Sequence, residues 1–152
     1  ETLEAPLDLA IRNLIDNAIK HHDRDHGHIR AACVQGKDTL TISISDDGPG
    51  IAAEHHGAVF KPFVKLKPGE DGESSGIGLS IVRRAVEAAG GTLRLTSPVA
   101  HGRGTMFTIV WPAAIVARYT APAEPLAYGG PRLTRKRGLR ASFGIHGLEG
   151  LE

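Results

Sequence analysis

The chain has 152 residues, 41% of them hydrophobic, and a formal net charge of +1, which suits one domain with a core and gives no global pull toward nucleic acid or an anionic membrane. No apolar run reaches the ~18 residues that a bilayer span needs, and the lone Cys33 excludes an internal disulfide framework and fits a reducing, cytoplasmic setting. The chain starts at Glu1 with no signal peptide, so it reads as an excerpt of a longer protein whose own membrane anchoring is left open.

Pro6 suits the first turn of a helix, and strong helix formers run unbroken from Leu7 to about Lys20. His21, His22, His26 and His28 then crowd "HHDRDHGH", which reads as a loop. No Cys or Glu stands with them at zinc-ligand spacing, so the cluster argues little for a metal. Residues 27–36, "GHIRAACVQG", read as a short strand bounded by glycines, and "DTLTISISD" alternates with Leu40, Ile42 and Ile44 on one face. After a loop, "GLSIVRRAVEAA" reads as a helix over 78–89 with Leu79, Val82, Val86 and Ala89 in one stripe, stopped by Gly90 and Gly91. "TLRLTS" and "GTMFTIVWP" follow as strands. This order predicts an α+β fold, a two-layer sandwich of helices on a mixed, mostly antiparallel sheet.

Past Pro112 the character changes. Between residues 118 and 140, Arg118, Arg132, Arg135, Lys136, Arg137 and Arg140 face Glu124 alone, Pro and Gly are frequent, and apolar periodicity is lost. The expected division is a folded domain over residues 1–114 and a poorly ordered basic tail over 115–152.

Three places carry polar chemistry at positions where plain structure would not need it. On a helix with about 100° per residue, Asn13, Asn17 and Lys20 share one stripe beside the apolar face. Asparagine is a poor helix former, so the stripe is either a solvated face or a site offering amide oxygens to a hard cation and an ammonium to phosphate. Asp46 shares the parity of Ile42 and Ile44, so it points inward at the strand's end, where its carboxylate needs a donor. An adenine amine would serve, with Gly48 and Gly50 letting the backbone approach a flat ring; a capped structural turn is the plainer alternative. "SSGIGL" precedes the second helix, and glycines before a helix N-terminus make an anion cradle.

Together these stretches resemble the sensor histidine kinases. "NLIDNAIKH" is similar to their N box, "DDGPGI" to the G1 box, "FKPF" to the F box, "SSGIGL" to the G2 box and "GRGTMF" to the G3 segment, in that order, from about Leu7 to Pro112. "NAIKHHD", "LKPGED" and "FTIVWP" resemble a subgroup often fused to PAS or phytochrome sensors. The resemblance implies the Bergerat ATP-binding fold, with ATP and Mg²⁺ as cofactors. It implies that Asp46, with Gly48, Gly50, Ile51 and Thr105, serves the adenine. Asn17, with Asn13 nearby, is implied to hold Mg²⁺, and Lys20 and Lys65 to meet phosphates. Phe60 and Phe63 would anchor a lid, and Gly76, Ile77, Gly78 and Leu79 would close over the triphosphate. The sequence departs from the family at His21, where tyrosine is usual, and at Ser74, where glycine is. The lid between Val64 and Ser75 also carries Glu70, Asp71 and Glu73.

No histidine lies in a phosphoacceptor box, so the implied acceptor is a separate helical dimerisation domain of the same kinase. A response regulator receiver domain and a homodimeric parent are implied with it, and no nucleic acid is expected. Two other readings stay open: a nucleotide-dependent clamp like the gyrase and Hsp90 relatives, whose catalytic glutamate is missing here with Asp16 the nearest acid, and a binding module that has lost its nucleotide.

Overall fold

A computed structural model describes residues 4–66, 75–112 and 139–146. Helix α1 spans Glu4–Lys20, followed by strands β1 (Gly27–Gln35) and β2 (Thr39–Asp46), two short 3₁₀ turns at Ala53–His55 and Ala58–Phe60, helix α2 (Gly78–Ala88), and strands β3 (Thr92–Thr96), β4 (Thr105–Pro112) and β5 (Leu139–His146). The strands form one sheet in the order β3-β4-β2-β1-β5. All pairings are antiparallel except β1 with β5, which is parallel.

The core follows from two periodicities. On α1, Ala10, Leu14 and Ala18 recur every four residues and are buried; on α2, Val82 and Val86 do the same. On β4 burial alternates through Thr105, Phe107, Ile109 and Trp111, and the register sets Ile42 opposite Ile109 and Ile44 opposite Phe107. Both helices therefore lie on one sheet face, packed against each other and against this row. Helix α2 stops because Gly90, at φ 74°, turns its N–H to the Glu87 carbonyl while the Gly91 N–H reaches the Val86 carbonyl at 2.9 Å.

The same register continues to the pair Asp46–Thr105. The row that is apolar in the middle of the sheet thus ends in two polar residues at its rim. Beside that rim lie the end of α1 and the start of α2.

One expectation fails within the tail. Leu139–His146, expected to be poorly ordered, forms β5 and pairs with β1 from Gly27–Leu139 to Val34–His146. The pairing satisfies the outer hydrogen-bonding edge of β1, which would otherwise stand open. The remainder of the tail, residues 115–138 and 147–152, lies outside the described residues, as do Glu70, Asp71, Glu73 and Ser74 of the lid. Among the described residues no helix is long and apolar enough to cross a membrane.

Candidate functional site

A cavity of about 360 Å³ opens between the ends of α1, β2 and α2. From α1 it is lined by Asn13, Asp16, Asn17 and Lys20, with His21 just beyond the helix. Asp46, Gly50 and Ile51 line it from the β2 end, and Thr105 and Phe107 from β4. Lys65, Gly76, Gly78 and Leu79 close the remaining side.

At the β2 end, burial raises the Asp46 carboxyl above its ordinary value, and the backbone N–H groups of Gly48 and Thr105, with nearby His22, pull it partly back. The Gly48 N–H donates to Asp46 Oδ1 at 2.9 Å. Gly48 is buried and does not line the cavity. Its expected place against a flat ring is therefore corrected: a Cβ there would stand 2.9 Å from Asp46 Oδ1, so the glycine serves the carboxylate's own turn. Gly50, at φ 81°, does line the cavity. A chain of bonds then fixes this wall. The Ile51 N–H donates to Ser97 Oγ at 2.7 Å, Ser97 Oγ donates to the Gly104 carbonyl at 2.8 Å, and the Gly104 N–H donates to the Gly48 carbonyl at 2.9 Å.

The opposite end is built otherwise. Asn13 spends its amide N–H on the Leu9 carbonyl at 2.8 Å, leaving Oδ1 close to Gly78, where a Cβ would come within 3.0 Å of it. Asn17 has its buried Nδ2 without a hydrogen-bond partner. An orphaned buried amide is costly, and either of its ends, turned to the cavity, suits a ligand: Nδ2 a phosphate oxygen, Oδ1 a hard cation. The residues present thus fit Mg²⁺ with phosphate. Helix α2 begins behind Ile77 with no side-chain cap, so its first N–H groups and its positive dipole end face the cavity where Gly78 and Leu79 line it. Ile77 itself does not line the cavity; its carbonyl accepts the Ser80 hydroxyl at 2.7 Å.

The two phenylalanines part company. Phe60 stands edge-on to Phe107 at 6.2 Å between ring centres, and the Arg83 guanidinium lies 5.5 Å from its ring centre. Phe63 is 79% exposed at φ 64°, so its ring anchors nothing; its backbone N–H donates to the Gly76 carbonyl at 2.9 Å. That backbone bond joins the two described ends of the segment on either side of residues 67–74.

Sequence reasoning missed Ser97, Gly104, Asp47 and His22. Among the described residues no set of three or more His, Cys, Asp or Glu is placed to hold a metal ion. Asp47 is held down to about 2: burial works against this, but the His28 N–H and the His22 and His28 rings outweigh it. A second carboxylate directly after the inward Asp46 was the available signal.

Residues 2–115 match the family model described as histidine kinase-, DNA gyrase B-, and HSP90-like ATPase. Among curated proteins, the sensor protein ChvG of Agrobacterium fabrum is 38% identical over 109 residues, covering 68% of this chain and 18% of that protein. The sensor protein IrlS of Burkholderia pseudomallei is 41% identical over 106 residues, 68% of this chain and 22% of that protein. The chain therefore spans about a fifth of the length of these relatives. Among solved structures, the mycobacterial sensor histidine kinase MprB superposes with a TM-score of 0.63 at 32% identity, covering 71% of this chain and 72% of that one. Full-length ShkA in complex with AMPPNP gives 0.60 at 26% identity, covering 70% of this chain and 21% of that one. This chain belongs to the histidine kinase-, DNA gyrase B-, and HSP90-like ATPase family, and within it is an ATP-binding domain of the sensor histidine kinase type with the Bergerat fold.

Proposed function

We propose that the chain binds ATP with the adenine against Asp46 and Thr105 and the phosphates between the Asn13–Asn17–Lys20 stripe and the start of α2. It then presents the γ-phosphoryl to a histidine on a separate helical phosphoacceptor and dimerisation domain of the same kinase. The observation that supports this best is the convergence of Asn17, Asp46 and Gly78, from three different elements, on one cavity. The relative solved with AMPPNP, an ATP analogue, supports the ligand class.

The residues divide the work by chemistry. Asp46 accepts a hydrogen bond from the exocyclic amine, which an adenine has and a guanine lacks at that edge. Gly50 and Ile51 flank the base, and Thr105 supports it from β4. The uncapped α2 start and Lys20 and Lys65 meet phosphate oxygens. Asn17, with Asn13 beside it, would hold Mg²⁺, which when bound offsets phosphate charge as the phosphoryl group transfers. The chain's own part is positioning and charge neutralisation, and the acceptor is brought by another domain. In the cell the parent acts as a cytoplasmic-facing homodimer serving a response regulator receiver domain.

Asp16 supports a second reading, a hydrolytic clamp, because its carboxylate lines the same cavity one residue from Asn17. One assay separates the two. The chain is incubated with labelled ATP and Mg²⁺, alone and with a supplied phosphoacceptor domain. Acid-labile phosphohistidine on the acceptor only is the expected result. Phosphohistidine on this chain alone, or rapid ATP hydrolysis without acceptor, contradicts it.

A further inference from the structure

Behind the base end of the cavity lies a side-chain arrangement that does not line it. The His22 side chain is wholly enclosed, although it sits in a loop two residues past α1. Its Nε2 lies 2.8 Å from Asp47 Oδ1. Its Nδ1 lies 3.2 Å from the Arg24 N–H and 3.1 Å from the Arg24 carbonyl. Asp47 is ionised, so Nε2 donates to it whichever role Nδ1 takes. Asp47 also accepts the His28 N–H at 2.8 Å, and His28 Nδ1 stands 3.3 Å from its other oxygen. Gly27 lies so close to the pair that a Cβ there would collide with the His22 ring. The next residue, Asp23, bonds Arg103 at 2.6 Å, in the turn that leads into Gly104 and β4.

Two consecutive residues after α1 are thus tied to the two walls of the base pocket. His22 holds the turn that carries Asp46 and Gly48; Asp23 holds the turn that carries Gly104 and Thr105. The His22 ring also lies 3.7 Å from where a Gly48 Cβ would stand, so it backs the backbone group that bonds Asp46. Asp47 thus takes one ring from the loop after α1 and two groups of His28 on β1, which ties that loop to the start of β1 and the end of β2.

We propose that His22 and Asp47 are positioning residues for base recognition, fixing the angle at which Asp46 meets the exocyclic amine of adenine, with Asp23 and Arg103 bracing the opposite wall. This rests on the ATP reading above. It predicts an effect on base discrimination, which a residue needed for folding alone does not give, because partial unfolding weakens ATP and GTP binding equally.

The test is calorimetric titration of the full 152-residue chain with ATP and with GTP, alongside thermal melts. His22→Ala is expected to weaken ATP binding by about tenfold, the scale of one lost charge-assisted hydrogen bond, and to narrow the preference for ATP over GTP. His22→Gln, whose amide N–H reaches toward Asp47, is expected to restore most of both. Asp47→Ala, at a half-exposed position, is the second variant, and is expected to lose affinity and preference as His22→Ala does. Folded His22→Ala or Asp47→Ala protein with wild-type ATP affinity and wild-type preference overturns the role. Should His22→Ala not fold, Asp47→Ala alone decides it. Wild-type protein that binds no ATP removes the functional reading and the pair's role together, whereas wild-type binding with indifferent variants removes the pair's role alone.

Discussion

At the base end of the cavity the protein satisfies itself. Asp46 takes the Gly48 N–H, Ser97 joins Ile51 to Gly104, His22 pairs with Asp47 and Asp23 with Arg103. At the phosphate end the corresponding groups await something. Asn17 has a buried amide nitrogen without a partner, and α2 starts without a side-chain cap. Gly76 sits at φ 66° against the Phe63 backbone. One end is shaped before a ligand arrives, so binding there costs little ordering; the other end keeps polar groups whose bonds a ligand completes. On the proposed reading, recognition of the base is preformed and assembly around the phosphates depends on the ligand, so substitutions should break one without the other.

The largest effect is expected at the phosphate end. Asn17→Ala should abolish Mg²⁺-dependent phosphorylation of a supplied phosphoacceptor domain while reducing ATP binding far less, since the base wall is untouched. Transfer assays beside calorimetry check the split, and full transfer in Asn17→Ala would refute the assignment. At the base end, Asp46→Asn should weaken ATP binding by about tenfold or more, as a buried charged hydrogen bond is worth roughly 1.5–3 kcal/mol. Because the Asp46 carboxyl titrates above its ordinary value, ATP affinity should begin to fall, as pH drops, sooner than an ordinary carboxylate would allow. Asp46→Asn should flatten that dependence.

Gly104→Ala sharpens the contrast by attacking the preformed wall. Gly104 sits at φ 84°, and a Cβ would stand 2.6 Å from the Asp46 carbonyl oxygen. A loss of ~1–3 kcal/mol in stability is expected, with weaker ATP binding, read by denaturant melts and titration. Removing residues 139–152 takes away β5 and should lower Tm by about 4 °C or more, leaving ATP affinity within about twofold, because β5 is at the sheet edge away from the cavity. An unchanged Tm would show that the β1–β5 pairing adds nothing. The smallest expected change in stability concerns Asp47. Its carboxyl is depressed to about 2, so its contribution is fully present above the ordinary carboxylate value of ~3.9 and is lost as pH falls from there through the folded value. Melts of wild type and Asp47→Ala should differ at neutral pH and converge in that acid window.

What could be read from the sequence followed local periodicity. Alternation put Asp46 on the inward row with Ile42 and Ile44, and the four-residue repeat on α1 placed Asn17 beside the buried stripe. Phe63 could not be read, since its outward ring follows from a left-handed backbone at a residue with no propensity for it. His22 was opaque because its partner lies 25 residues away, and a histidine-rich loop has the same composition whether or not one ring is enclosed. β5 did leave a trace: Leu139, Ala141, Phe143 and Ile145 alternate with more polar or small residues. The trace is short and sits in a basic, Pro- and Gly-rich setting, and a parallel edge strand takes its definition from the partner it pairs with.

Amide hydrogen exchange with and without Mg²⁺·ATP tests the division between the two ends most directly. New protection is expected at residues 76–80, where the uncapped start of α2 gains a phosphate, with little change at the Gly48, Ile51 and Gly104 amides, which are already bonded. Protection concentrated at the base end, or no change at either end, would contradict it.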